Sequence, residues 1–367
     1  MPTQSEDKRM ENTNFNPMGT DGFEFVEYTA PTPEGIANLK NLFRLMGFAE
    51  VAKHKHKAVW LFRQGDINFI VNSESHSQAA GFASTHGASV NAMAFRVADS
   101  NTALAYAVEK GATACAAQAG PMELNIPAIY GIGESLIYLV DRFGEHDIYE
   151  IDFDYYPDYK QRLASLDAGL ENLDHLTHNV KRGNMDLWAS FYEKIANFHE
   201  IRHFDIKGKS TGLLSRALTA PCGKIRIPIN ESHDDKSQIA EYLEKYNGEG
   251  IQHIALSTQD IYSTVKKLKE GGLPFMETPH TYYEGVNKRV TGHVEDVAKL
   301  KDLNILIDGD DTGILLQIFT NTVIGPVFFE IIQRKGNEGF GEGNFQALFE
   351  SIELDQIRRG VIDATEE

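Results

Sequence analysis

The chain repeats one order of elements at low identity, and that repeat restricts what it can fold into. A strand-like segment holding Phe23, Phe25 and Tyr28 leads into a helical pattern from about Pro33. There Leu39, Leu42, Phe43 and Met46 recur at three- and four-residue spacings, and Pro33 suits the first turn. Short strands are expected at Ala58–Arg63 and Asp66–Asn72 and, after a polar loop, at Val90–Val97. Asn101–Lys110 reads as a helix stopped by Gly111, and Leu136–Asp141 and Ile148–Phe153 read as strands. The order then recurs. Asp174–Val180 is strand-like and Asp186–Ala196 helical, with strands at Phe204–Ile206, Leu213–Thr219 and Lys224–Ile229. Gly250–Thr258 is a strand and Asp260–Glu270 a helix. Strands at Ile305–Ile307, Gly313–Phe319 and Phe328–Ile332 follow.

Sliding one half over the other supports the repeat. One offset lays Phe25 on His175, Val26 on Leu176, Phe48 on Phe198, Glu50 on Glu200 and Val51 on Ile201. A longer offset lays Asn91–Phe95 on Gln252–Leu256 and Asp99 on Asp260. A third lays Tyr149–Ile151 on Phe329–Ile331. The expected fold is therefore α+β: two open, barrel-like domains, each of two paired βαβββ modules. The expected divisions are a disordered leader over 1–21, an N-terminal domain over 22–153, a linker over 154–170 and a C-terminal domain over 171–367.

Composition limits the function. Lysine and arginine number 35 against 53 aspartates and glutamates, a net charge of −18. A surface for nucleic acid or anionic membrane needs clustered cations, so neither partner is expected. Two cysteines, Cys115 and Cys222, cannot make a disulfide framework. No apolar signal segment opens the chain and no run approaches about 20 apolar residues. A soluble, cytoplasmic protein is expected.

At the aligned positions the halves differ in chemistry. The second half has His175 and His253 where the first has Phe25 and Ala92; both have a carboxylate at the third, Glu330 and Glu150. Two histidines and one carboxylate on separate strands form the set that holds non-haem Fe(II) with coordination positions left open. The first half, lacking both imidazoles, reads as metal-free support. By strand alternation His175 and Thr177 share a face opposite Asp174, Leu176 and His178, so His178 is not counted as a ligand. His253 shares its face with Ile251 and Ala255, and Glu330 with Phe328 and Ile332. A charged Glu330 on so apolar a strand is costly without a cation. Thirteen histidines make chance pairs easy, so residue chemistry alone leaves open ordinary core or surface histidines.

Seven ordered strings sharpen this. They are Leu173–Val180 (LDHLTHNV), Pro228–Asn230 (PIN), Ser237–Ile239 (SQI), Gly250–Leu256 (GIQHIAL), Leu315–Phe319 (LLQIF), Phe328–Arg334 (FFEIIQR) and Gly339–Phe345 (GFGEGNF). Together they resemble the 4-hydroxyphenylpyruvate dioxygenase family, within the vicinal oxygen chelate superfamily, from about Phe23 to the C-terminus. The resemblance implies the vicinal oxygen chelate fold, Fe(II) on His175, His253 and Glu330, and conversion of 4-hydroxyphenylpyruvate and O₂ to homogentisate and CO₂. It implies a polar substrate shell of Ser215, Asn230, Gln238, Gln252 and Gln317, and an aromatic one of Phe319, Phe328, Phe340 and Phe345 with Asn344 between. Without it, Asn230 and Gln238 read equally as surface residues, and Phe319 and Phe328 as core. A homo-oligomer, dimer or tetramer, is expected. Hydroxymandelate synthesis from the same substrate and a metal-free binding protein remain as alternatives.

The C-terminal segment is expected to form a lid helix. Asn344 would be its N-cap, Phe345, Leu348, Phe349 and Ile352 its apolar face, and Gly339, Gly341 and Gly343 its hinge. The glycine-rich stretch precedes too little chain for a βαβ dinucleotide unit. His54 and His56 alternate with lysines as on a solvated face, and Cys222 has no partner base in the sequence.

Overall fold

The computed structural model describes residues 14–116, 119–120, 122–207, 212–233 and 237–347. Among these residues the strands fall into two eight-stranded sheets. The first holds β1 (Phe23–Thr29), β2 (Ala49–His54), β3 (Val59–Gln64), β4 (Ile67–Asn72), β5 (Ser89–Arg96), β6 (Ala128–Tyr130), β7 (Leu136–Val140) and β8 (Phe153–Tyr155). The second holds β9 (Leu170–Val180), β10 (His199–Lys207), β11 (Gly212–Thr219), β12 (Arg226–Ser232), β13 (Gly250–Thr258), β14 (Leu306–Asp310), β15 (Gly313–Phe319) and β16 (Phe328–Lys335).

The strand orders are β6-β7-β5-β1-β4-β3-β2-β8 and β10-β11-β12-β9-β13-β16-β15-β14. Read from opposite ends and shifted by one strand they match, with β8 and β14 lacking counterparts. Each sheet holds one antiparallel pair that joins its two modules, β1 with β5 and β9 with β13. That pair is flanked by parallel pairs, β1 with β4 and β5 with β7, then β9 with β12 and β13 with β16. These are the paired βαβββ modules. The module from β5 is reduced: where β14 pairs with β15, the first half has a single bridge, Ala114 to Ile129.

Register tests the three alignments residue by residue. Phe25 faces Ala94 as His175 faces Ala255, which supports the first two offsets. Ala94 then faces Tyr138 as Ala255 faces Glu330. Tyr138, not Glu150, is thus the counterpart of Glu330. Glu150 lies exposed in a short helix, Ile148–Asp152, which Asp147 starts by accepting the N–H groups of Tyr149 and Glu150. The strand expected at Ile148–Phe153 is that helix, followed by β8.

Helices lie on the outer sides. Pro33–Leu45 starts at Thr32, whose hydroxyl accepts Gly35 N–H, and buries Ile36, Leu39, Leu42 and Phe43. The polar stretch before β5, expected as loop, contains the helix Gln78–His86 capped by Ser77. The segment expected as linker carries the helix Tyr159–Leu166. Within the expected leader, Met18 is buried and Phe15 O accepts from Asn197 Nδ2. At the other end, residues 342–347 are helical; Leu348, Phe349 and Ile352 lie outside the described residues. No described helix is long and apolar enough to cross a membrane.

One hydrophobic core runs through both halves. Its centre is aromatic: Phe48 stacks on Phe69 at 4.3 Å, and Tyr28 meets Phe43 and Phe69 edge-on. Phe329 of β16 enters this cluster from the second half, 5.9 Å from Phe69 and 6.3 Å from Tyr28. Since strand neighbours alternate, the side chain of Glu330 is sent to the opposite, inner face.

Candidate metal centre

Three adjacent central strands, β9, β13 and β16, carry His175, His253 and Glu330 to one point. Their donor atoms lie within 4.8 Å of one another. Glu330 Oε2 stands 3.2 Å from His175 Nε2 and 3.4 Å from His253 Nε2. The histidines are 2% and 9% exposed and Glu330 is 2% exposed, so little water reaches them.

Two β-bulges aim the histidines. Along β9 the register jumps from His175 to Leu173 opposite consecutive residues of β13, which makes Asp174 the extra residue. Along β13 it jumps from Ile251 to His253, which makes Gln252 the extra one. A bulged residue escapes strict alternation. Asp174, expected to face away, instead reaches its neighbour: Asp174 Oδ1 lies 2.7 Å from His175 Nδ1. Gln252 Oε1 lies 2.9 Å from His253 Nδ1 in the same way. Ile251, expected to share the face of His253, packs into the main core. Both imidazoles therefore donate through Nδ1 to an oxygen and turn Nε2 towards Glu330. This is the tautomer that a metal requires. Thr177 Oγ1 is 3.0 Å from His253 Nε2. The donor set fits a divalent transition metal that keeps open positions.

Charge supports the arrangement. Arg334 grips Asp174 with two hydrogen bonds of 2.8 Å, and Arg226 lies at 3.4 Å. Burial pushes the Asp174 carboxyl up, but the bonds from Arg334 and His175 outweigh it and hold it well below the ordinary range. Burial also works against the Glu330 carboxylate. The charge and hydrogen bond of His175, with the bond of His253, bring it down to about 2. Glu330 is thus ionised at neutral pH. His178, on the outer face, bonds Tyr192 Oη at 2.7 Å and stays apart from the triad.

The other Glu330 oxygen begins a chain of hydrogen bonds. Gln317 Nε2 donates to Glu330 Oε1 at 3.0 Å, and Asn344 Nδ2 donates to Gln317 Oε1 at 2.7 Å. Asn344 Oδ1 in turn accepts from Tyr282 Oη at 2.6 Å and from Arg289 Nη2 at 3.3 Å. Asn344 is not the helix N-cap that its type suggested. It lies inside the helical turn, and its side chain is spent on Gln317.

The aromatic shell lies around the same point. Phe328 stacks on the His253 ring at 4.9 Å, Phe319 meets Phe328 edge-on at 6.0 Å, and Phe340 meets His175 edge-on at 5.2 Å. Ser215 pairs across to Asn230, and Asn230 to Asn179 of β9, a row on the face of His175 and Thr177. Gln238 and Phe345 are not brought in. Gln238 is exposed on the first turn of Gln238–Lys245 and Phe345 is 45% exposed.

Asp174, Arg334, Tyr282, Arg289 and Asn179 were not singled out from the sequence. Asn179 is fully buried, and neither end of its amide has a hydrogen-bond partner among the described residues. Its place two and four residues beyond Thr177 and His175 was the available signal.

Residues 14–154 match the model described as hydroxyphenylpyruvate dioxygenase, N-terminal, and residues 172–300 that of the glyoxalase/bleomycin resistance protein/dioxygenase superfamily. The 4-hydroxyphenylpyruvate dioxygenase of Pseudomonas aeruginosa is 62% identical, covering 95% of this chain and 97% of that protein. The chain belongs to the 4-hydroxyphenylpyruvate dioxygenase family. Another similar protein, hemolysin VllY of Vibrio vulnificus, is 68% identical over 95% of this chain and 98% of its own length. A solved variant of 4-hydroxymandelate synthase from Streptomyces coelicolor superposes with a TM-score of 0.77 at 24% identity, over 93% of this chain and all of that one. At that identity it shows the vicinal oxygen chelate fold alone. Within the family frame, the first half keeps the fold while Phe25, Ala92 and Tyr138 stand at the ligand positions.

Proposed function

We propose that the chain is an Fe(II)-dependent dioxygenase that converts 4-hydroxyphenylpyruvate and O₂ to homogentisate and CO₂. The observation that carries this is the His175, His253 and Glu330 set with both Nδ1 atoms anchored, in a chain 62% identical to a protein of that name. Fe(II) bound by these three side chains would supply the redox chemistry with O₂, and the α-keto acid would supply the electrons. By atom balance one oxygen of O₂ enters the new ring hydroxyl and the other the new carboxylate, while the old carboxylate leaves as CO₂.

The chain's own residues do the rest. Asp174 and Gln252 fix the imidazole tautomers, and Gln317 fixes the carboxylate. Phe319, Phe328 and Phe340 give apolar surface against which an aromatic ring can lie and from which water is excluded. Ser215, Asn230 and Gln252 offer donors and acceptors to the polar ends of the substrate. Tyrosine and phenylalanine breakdown in the cytoplasm by a homo-oligomer belongs to the same proposal; light scattering tests the assembly.

The experiment is anaerobic loading with ferrous salt and the keto acid, admission of air, and mass spectrometry of the products. Homogentisate with one CO₂ per turnover is expected. Hydroxymandelate as the main product would replace this reading.

A further inference from the structure

A second cavity, of about 550 Å³, opens in the N-terminal half. It is lined by Phe25 and Tyr138, the register counterparts of His175 and Glu330. The first sheet therefore keeps the hollow that the fold builds, with the metal donors replaced by aromatic rings. Phe25 and Tyr138 pack on one another at 5.5 Å, and Ile70 and Phe153 extend the apolar wall. Its volume falls in the usual range for small-molecule sites.

Within this wall stands a carboxylate. Glu27 is 5% exposed and lines the cavity. Its Oε1 accepts from Asn91 Nδ2 at 2.6 Å and from Asn72 Nδ2 at 2.9 Å. Its Oε2 has no hydrogen-bond partner among the described residues and is not sealed from water, on a residue that lines the cavity. The lysine of the lining, Lys57, holds its ammonium 2.6 Å from Glu123 instead. Among the described residues the lining carries four carboxylates, Glu27, Glu74, Glu123 and Asp152, against one lysine and the histidines His54 and His76. Burial raises the Glu27 carboxyl above its usual range, outweighing the hydrogen bonds of Asn91 and Asn72 and the charge of Lys57, which lower it.

We propose that this cavity is a second ligand site that takes a small organic cation, with its ammonium on Glu27 Oε2 and a ring-sized apolar body against Phe25, Ile70, Tyr138 and Phe153. A cation there gives Glu27 Oε2 a direct partner, and the aromatic faces favour it further. An anion is repelled by the acid excess. The site is separate from the iron chemistry and independent of the reaction proposed above.

The test is calorimetric titration of the full iron-loaded chain with 2-phenylethylamine hydrochloride, 2-phenylethanol and 3-phenylpropionate. The amine should bind with one site per chain, the alcohol about tenfold more weakly and the acid not at all up to about 10 mM. Glu27→Gln keeps the acceptor for Asn72 and Asn91 but should weaken amine binding about tenfold or more. Ile70→Trp, on the strand beside Glu27, fills the hollow and should abolish binding. His253→Ala should leave it unchanged. No saturable heat with the amine, equal binding of the acid, or loss of binding in His253→Ala would each overturn the proposal, as would full affinity in a folded Glu27→Gln variant. The comparison of amine with acid on the unaltered protein decides the matter even if a variant fails to fold.

Discussion

Asp174 and Arg334 meet through two hydrogen bonds of 2.8 Å, and the same carboxylate holds Nδ1 of His175. The orientation of one metal-set imidazole thus depends on an ion pair between β9 and β16. Asp174→Ala should lower Fe(II) affinity about 10- to 100-fold, the usual cost of losing such a support, in ferrous-ion titrations. Arg334→Leu leaves the buried Asp174 charge with the His175 N–H and, as cation, only the longer contact to Arg226, and should cost about 3–5 kcal/mol in urea unfolding.

His253→Ala should abolish stoichiometric iron binding and turnover while the protein still folds. Ala92 occupies the corresponding position in the first sheet, so the backbone accepts the small residue there. Iron content by metal analysis and the far-ultraviolet circular dichroism spectrum check the two halves of this expectation. Retained iron would refute the ligand assignment.

Gln317→Leu breaks the chain from Glu330 to Asn344 at its middle. A buried carboxylate oxygen and a buried amide each lose their partner, at about 1–3 kcal/mol apiece. We expect iron to be retained but kcat/KM to fall, with O₂ consumption exceeding homogentisate formed. An oxygen electrode run beside product analysis measures that ratio.

Gly341 has φ +78°, and a Cβ there would run into Gln317 Oε1. Gly341→Ala must therefore displace Gln317 or the C-terminal turn. Its kinetic defect should match that of Gln317→Leu, and combining the two should add little. Additive losses would show that the glycine acts elsewhere.

His178 gives a pH dependence of stability. Burial depresses it from 6.5 to about 3, so the unfolded chain takes up the proton first as pH falls. Its contribution is complete above 6.5 and is lost progressively between 6.5 and 3. Lowering the pH from 7 to 5.5 should cost about 1 kcal/mol through this residue, a loss absent in His178→Gln. Urea unfolding of both proteins at the two pH values is the measurement; equal slopes would contradict it.

The repeated order of strands and helices was legible because each module's apolar face follows a regular period, as in Pro33–Leu45 and in β13. So was the triad, through the offsets that place His175 and His253 on residues of another kind. What escaped has local causes. Gln78–His86 holds Gly81, Ser84 and Thr85, poor helix formers, and forms because Ser77 caps it and Phe82 is buried. Glu150 was matched to Glu330 by letters, but Asp147 turns that stretch into a helix. The bonds of Asp174 and Gln252 to the imidazoles were hidden by strand alternation, which a bulge suspends and no single sequence announces. Tyr282 and Arg289 belong to an insertion between β13 and β14, and meet Asn344 only once the chain has folded.

The entry of Phe329 into the aromatic cluster of Tyr28 and Phe69 bears on how this architecture can evolve. The copy without metal donors is not a spare part. Removing it would bare the back of the strand that presents Glu330 and leave a sticky aromatic surface where a wall now stands. A shortened gene encoding β9 onward should therefore yield insoluble protein rather than a minimal enzyme. Without metal donors of its own, the first module pair serves as the surface on which the second is built.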